Sequence, residues 1–201
     1  SPKAETLKSI FLESERKIQI TLKLQKWIDD KISNILKPIK NDLNDVLLPE
    51  ARTIIFNLFN SLGTMLTEDY KTQIKNFDAN NKSIISKKGI RIGAKFFFMP
   101  SFLKKNAIEL NALLWKIYNK TSETSLYPLP KDGRVSFLTY TDMPTSYWLA
   151  IGYICIDSFA VRVDVFERIF FIARQKIKSG PFIESSDLMN PIGCNANQLA
   201  S

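Results

Sequence analysis

Histidine is absent from the 201 residues. The side chain most often used as a general base near neutral pH is therefore missing, and the Ser–His and Cys–His nucleophile pairs go with it. Carboxylate or lysine chemistry is left, but the acidic residues are scattered and no pair stands out as a catalytic dyad. Cysteine is scarce. Cys155 lies in an apolar stretch and Cys194 follows a glycine. Neither has a neighbour at zinc-ligand spacing, so both read as reduced packing residues, with a disulfide between them as the alternative. No apolar run approaches the roughly 18–20 residues that span a bilayer, and no secretory pattern opens the chain. The expectation is a cytoplasmic chain with no membrane partner, no metal site and no catalytic residue of its own.

What is present is enough apolar material for a sizeable core: 45% of residues are hydrophobic and 11% aromatic. One or two domains fit this length. The start at Ser-Pro without methionine, and an end inside a helix-like pattern, imply a piece excised from a longer polypeptide, with Ser1 as a cloning remnant. The net charge is +8, and residues 71–120 account for all of it, with eleven Lys and Arg against Asp78 and Glu109. A local excess of one sign points to an anionic partner, chiefly nucleic acid or a membrane surface. The competing reading is a solvated lysine-rich face.

The chain is organised around residues 87–120. Two lysines and a glycine lead into Phe96-Phe97-Phe98-Met99, stop at Pro100, and give way to a helical pattern. Leu103, Ala107, Leu110, Leu114 and Ile117 share a face there, with Ser101 as the expected N-cap. Lys104 and Lys105 then fall in the first turn, where the helix dipole disfavours cations but a phosphate could be held. The same joint recurs after Gly152, 63 residues beyond Gly89. Each joint reads as a hairpin turning at Gly93-Ala94 or Asp157-Ser158, followed by a helix. Either a duplication or the general frequency of hairpins before helices explains the recurrence.

Elsewhere, residues 3–37 lack glycine and proline and read as one long helix, with Leu7, Phe11, Ile18, Leu22, Ile28, Ile32 and Ile35 near one stripe. Ile18 to Leu24 also alternates with period two, like a strand. Pro38 marks an end or a kink. A helix over 49–63 starts at Pro49 and ends at Gly63. Thr67 and Asp78 are expected caps of two further short helices, and Lys87-Lys88 would close the second of these. Residues 120–135 read as a loop. Tyr140–Ile151 contains a short helix whose Tyr147 and Trp148 suit core packing first and base stacking second. Asp164 to Glu167 has the form of a capping box, opening a helix with Val165, Ile169, Phe170 and Ile172 inward. Asp187 sits in a short helix start, and Asn195 with Gln198 in another; together they outline a helix-turn-helix.

Three blocks, GIRIGAKFFFMPSFLKKNAIELNALLWKIY (89–118), GRVSF (133–137) and GY…AVRVDVFERI (152–169), with Ile-Gly-Cys at 192–194, carry a resemblance. Over most of the chain, from about Trp27, it resembles the C-terminal region of bacterial superfamily-two helicases related to the mitochondrial RNA-degradation helicase. The resemblance implies an ATP-dependent parent whose motor precedes this region. No phosphate-binding G-x-x-x-x-G-K-[ST] motif is present, so ATP and magnesium are expected only for the motor. Lys105 stands where that family has proline and Phe159 where it has arginine.

The resulting expectation is a mainly helical α+β fold with two small hairpin–helix units. Residues 1–120 and 121–201 form two units or one core, with a winged-helix-like arrangement left open for the second. The expected function is that of a non-catalytic helicase accessory domain. It binds RNA or single-stranded DNA through Lys87, Lys88, Arg91, Lys95, Lys104 and Lys105, with Arg162 as an outside candidate. The alternative is a structural or protein-interaction domain that packs on the motor or recruits a partner.

Overall fold

The computed structural model describes residues 2–5, 13–40, 49–120, 127–139, 142–180, 186–189, 191 and 193. Leu7, Phe11, Cys194 and the Asn195–Gln198 cap lie outside the described residues. The fold is mainly helical with two small antiparallel sheets. Its helices are α1 (Ser14–Lys40), α2 (Pro49–Asn60), α3 (Lys71–Lys75), α4 (Ala79–Lys87), α5 (Lys105–Tyr118), α6 (Thr145–Ala150), α7 (Val163–Lys178) and α8 (Ser186–Met189). Its strands are β1 (Thr64–Leu66), β2 (Arg91–Ile92), β3 (Phe96–Phe98), β4 (Ser136–Leu138), β5 (Tyr153–Ile156) and β6 (Phe159–Arg162).

The first sheet has the order β1-β3-β2 and the second β4-β6-β5. Each expected hairpin is thus present, and each has acquired a third strand on its second member. The two halves share an outline: a strand, a helical segment (α3 and α4 in the first half, α6 in the second), a hairpin and a longer helix. The repetition reaches individual hydrogen bonds. Met99 N–H donates to the Gly63 carbonyl at 3.1 Å, and Arg162 N–H, 63 positions on, donates to that of Val135 at 2.8 Å. Thr67 N–H reaches the Lys95 carbonyl at 2.8 Å, and Thr139 N–H that of Ser158 at 2.7 Å. The helices before the two hairpins end alike. Gly89 has φ 77° and Gly152 φ 75°, a left-handed conformation that glycine adopts without a Cβ penalty.

Side chains alternate across a strand, and in β3 both sides are covered. Phe97 enters a core with Ile54, Ile55, Leu58, Ile85 and Phe102. Phe96 and Phe98 face the other way, into a cluster with Leu103 and Val163, against which Phe166 and Ile154 pack. The divide at residue 120 therefore runs through a shared apolar layer. Burial of each phenylalanine contributes about 1.5–3 kcal/mol. A third cluster lies between α5, α6 and the second sheet: Ile108, Tyr147, Trp148, Ile151 and Tyr153.

Several local expectations are corrected. Residues 2–5 run beside α1 rather than within it: Ala4 N–H donates to Gln25 Oε1 at 2.9 Å, and Gln25 Nε2 to the Pro2 carbonyl at 3.1 Å. Within α1, Ile28 and Ile32 are half-buried, whereas Ile18 and Leu22 are exposed. The helix runs on past Pro38 to Lys40. Ser101 is not the cap of α5. A 3₁₀ turn, Pro100–Leu103, intervenes, and Lys104 holds the N-cap position without a side-chain bond. The buried face of α5 is Ala107, Ile108, Asn111 and Ala112, rotated from the predicted leucine line. Thr67 caps nothing with its side chain; its hydroxyl donates to the Gly93 carbonyl at 3.2 Å. The first hairpin turns over Ala94-Lys95, because Gly93 N–H closes on the Phe96 carbonyl at 2.8 Å. Asp78 does cap α4, accepting the Asn81 N–H at 2.7 Å, which lowers its pKa.

Candidate nucleic-acid interface

Six of the seven predicted cations are arranged around the first hairpin. Lys87 closes α4, where its charge suits the helix C-terminus. Lys88 follows, half-buried, and Arg91 is exposed at the open end of the hairpin, opposite Phe98. Lys104 and Lys105 are exposed where the chain, having left the same end through the 3₁₀ turn, enters α5. Lys95 stands apart, at the turn. No ion pair engages Lys87, Arg91, Lys95 or Lys104 among the described residues.

Arg162 differs. Its Nε lies 2.7 Å from Asp164 Oδ1 and its Nη2 3.0 Å from Asp164 Oδ2. This two-point bond raises the arginine pKa and occupies its donor fork. Asp164 is accordingly not a helix cap, since Arg162 holds the N-cap position of α7. Glu167, the other half of the predicted capping box, leaves its own helix altogether. Its carboxylate accepts the backbone N–H groups of Ala94 at 2.8 Å, Lys95 at 2.5 Å and Phe96 at 2.6 Å. Three successive amides around a turn make a concave anion site, and here α7 fills it.

Both first-half carboxylates of α7 are thereby engaged, one by Arg162 and one by the hairpin turn. The rest of α7 carries Arg168, Arg174, Lys176 and Lys178. Lys95 Nζ stands 5.2 Å from the Phe170 ring centroid and Arg174 Cζ 5.8 Å from it. Phe166 and Phe170 are stacked with centroids 6.2 Å apart. Cations within about 6 Å of a ring face are held there electrostatically. This cation–aromatic surface joins the hairpin turn to α7. Sequence periodicity placed Phe170 inward, and the signal that could have found the surface is the run Arg168 to Lys178 behind an aromatic pair.

Tyr147 and Trp148 are buried and do not form a base-stacking surface. Tyr147 donates its hydroxyl to the Pro128 carbonyl at 2.8 Å, and Tyr153 donates to that of Arg134. Burial raises both phenol pKa values, that of Tyr153 to about 12. Cys155 is free, with its thiol pKa raised by burial. Among the described residues, no three His, Cys, Asp or Glu side chains gather as metal ligands, and no helix is long and apolar enough to cross a membrane. Comparison of the chain with protein-family profiles, curated proteins and solved structures finds no match in any of the three.

Proposed function

We propose that this chain is a non-catalytic module that binds nucleic acid, RNA in the first instance, through the basic surface of the first hairpin and α7. The observation that carries the reading is the set Lys87, Arg91, Lys95 and Lys104: cations spread along the first hairpin–helix unit, none of them ion-paired with a carboxylate among the described residues. Such cations release counterions from a phosphate backbone when they engage it, and this gives affinity without sequence preference. The resemblance of residues 89–118, 133–137 and 152–169 to a helicase C-terminal region supports a setting beside an ATP-dependent motor in the cytoplasm. Reversing all four charges to glutamate tests the reading. Binding of a labelled single strand falls by at least tenfold if the surface is the contact, and unchanged affinity rejects it.

A second reading, docking of another protein segment, is favoured by α1. Ile18, Leu22 and Trp27 are 60%, 65% and 59% exposed. At about 100° per residue, the period-two pattern of residues 18–24 puts Ile18 and Leu22 roughly a half-turn from Ile20, Leu24 and Trp27. Both flanks are apolar, and the half-buried line lies between them. In this reading α1 is the middle helix of a larger bundle, packed against the motor or a recruited protein. Substituting Leu22→Glu with Trp27→Ala then disrupts that complex and leaves nucleic-acid affinity unchanged. A complex that survives the double substitution rejects this reading.

A further inference from the structure

The surface of α7 carries more than charge. Phe171 is 62% exposed, a large ring left in water on a helix that buries Val163 fully and most of its other apolar side chains only in part. Arg168 and Arg174 lie three residues before and after it, which places all three side chains on one side of the helix. Both arginines are exposed. The two carboxylates that could have quenched this side are engaged elsewhere: Asp164 with Arg162, and Glu167 with the first hairpin turn. Arg174 is further steadied over Phe170, and Lys95 reaches the same ring from the hairpin. The result is one exposed aromatic face between two arginines, with a third cation held nearby.

We propose that Phe171 is a stacking platform for an unpaired nucleobase, flanked by Arg168 and Arg174 on the adjoining phosphates, so that this surface selects single strands over duplex. The inference rests on the nucleic-acid reading above and adds its substrate class. An aromatic face accepts any base, because every base has a π-face, but only a base that is free of its duplex neighbours can lie on it. The cations would hold either form of nucleic acid; the ring discriminates between them.

The test uses the whole chain, a labelled single-stranded RNA of about 12 nucleotides, within the usual range of stacking sites, and a duplex of the same sequence. Phe171→Ala weakens single-strand binding roughly 5- to 150-fold, the range found for one lost base–aromatic stack, and leaves duplex binding unchanged. Phe171→Trp restores single-strand affinity. Because Phe171 is largely outside the core, the alanine variant should keep the circular dichroism spectrum and melting midpoint of the parent. Equal loss for strand and duplex, no loss at all, or failure of tryptophan to restore binding each overturns the proposal while leaving the basic-surface reading intact. Absence of binding to either nucleic acid by the unaltered chain overturns both.

Discussion

The carboxylate of Glu167 occupies the space that a side chain on Gly93 would need. A Cβ built on Gly93 would stand 2.4 Å from the Glu167 carboxyl carbon, and the same carboxylate takes the three turn amides of residues 94–96. One contact thus ties the hairpin of the first half to the long helix of the second. Hydrogen bonds to a charged group contribute about 1.5–3 kcal/mol when lost. Glu167→Ala is expected to destabilise by that order. Gly93→Ala should do nearly the same, because it evicts the carboxylate. The double variant should be little worse than either single one, a non-additivity that a double-mutant cycle in urea reads directly. Additive losses would show that the two residues act independently.

Gly89 and Gly152 end equivalent helices in the same left-handed conformation, yet their surroundings differ. Nothing lies within 4 Å of a Cβ at Gly89, whereas one at Gly152 would stand 2.2 Å from Leu103 Cδ2. Gly89→Ala is expected to cost only the backbone term, about 1–2 kcal/mol. Gly152→Ala should cost that plus displacement of Leu103 from the shared apolar layer, about 1–3 kcal/mol more. Denaturant midpoints of the two variants measure the difference, and equal midpoints would contradict the packing at Leu103.

Alkaline pH should weaken the fold. In the unfolded chain, Tyr153 ionises near the ordinary value of about 10. Burial raises it to about 12 in the folded chain, and Tyr147 shifts in the same direction. Between those values the unfolded state holds fewer protons than the folded one, so stability is full below pH 10 and falls as pH rises toward 12. Urea midpoints taken from pH 8 to 11 check the sign. Tyr153→Phe should flatten the decline, although it starts from lower stability because the bond to the Arg134 carbonyl is gone. A decline of the same steepness in that variant would assign it to other groups.

Much of this fold is legible in the sequence because its signals are local. Asp78 before α4, Pro49 at the start of α2 and the glycines before both hairpins act within a few residues of themselves. The third strands were not legible. Thr64–Leu66 and Ser136–Leu138 are three residues each, too short to show a period, and exist only because β3 and β6 offer them a partner. Glu167 misled for a related reason: its spacing from Asp164 fits a cap, and its partner lies more than seventy residues away. The alternation of Ile18 to Leu24 is strand-like by pattern and helical by context. The basic character of 87–105 could be read from composition alone. The α7 surface needed the fold, which engages two carboxylates with Arg162 and the hairpin turn and brings Lys95 to Phe170.

The most direct measurement is fluorescence anisotropy of the whole chain with labelled single-stranded RNA across a salt series. If about five phosphates are engaged, the account predicts micromolar or tighter binding at low salt and log K falling with log salt at a slope near −3.5. Measurable binding with a flat salt response, or no binding at low salt, would contradict a basic surface that works through phosphate contacts.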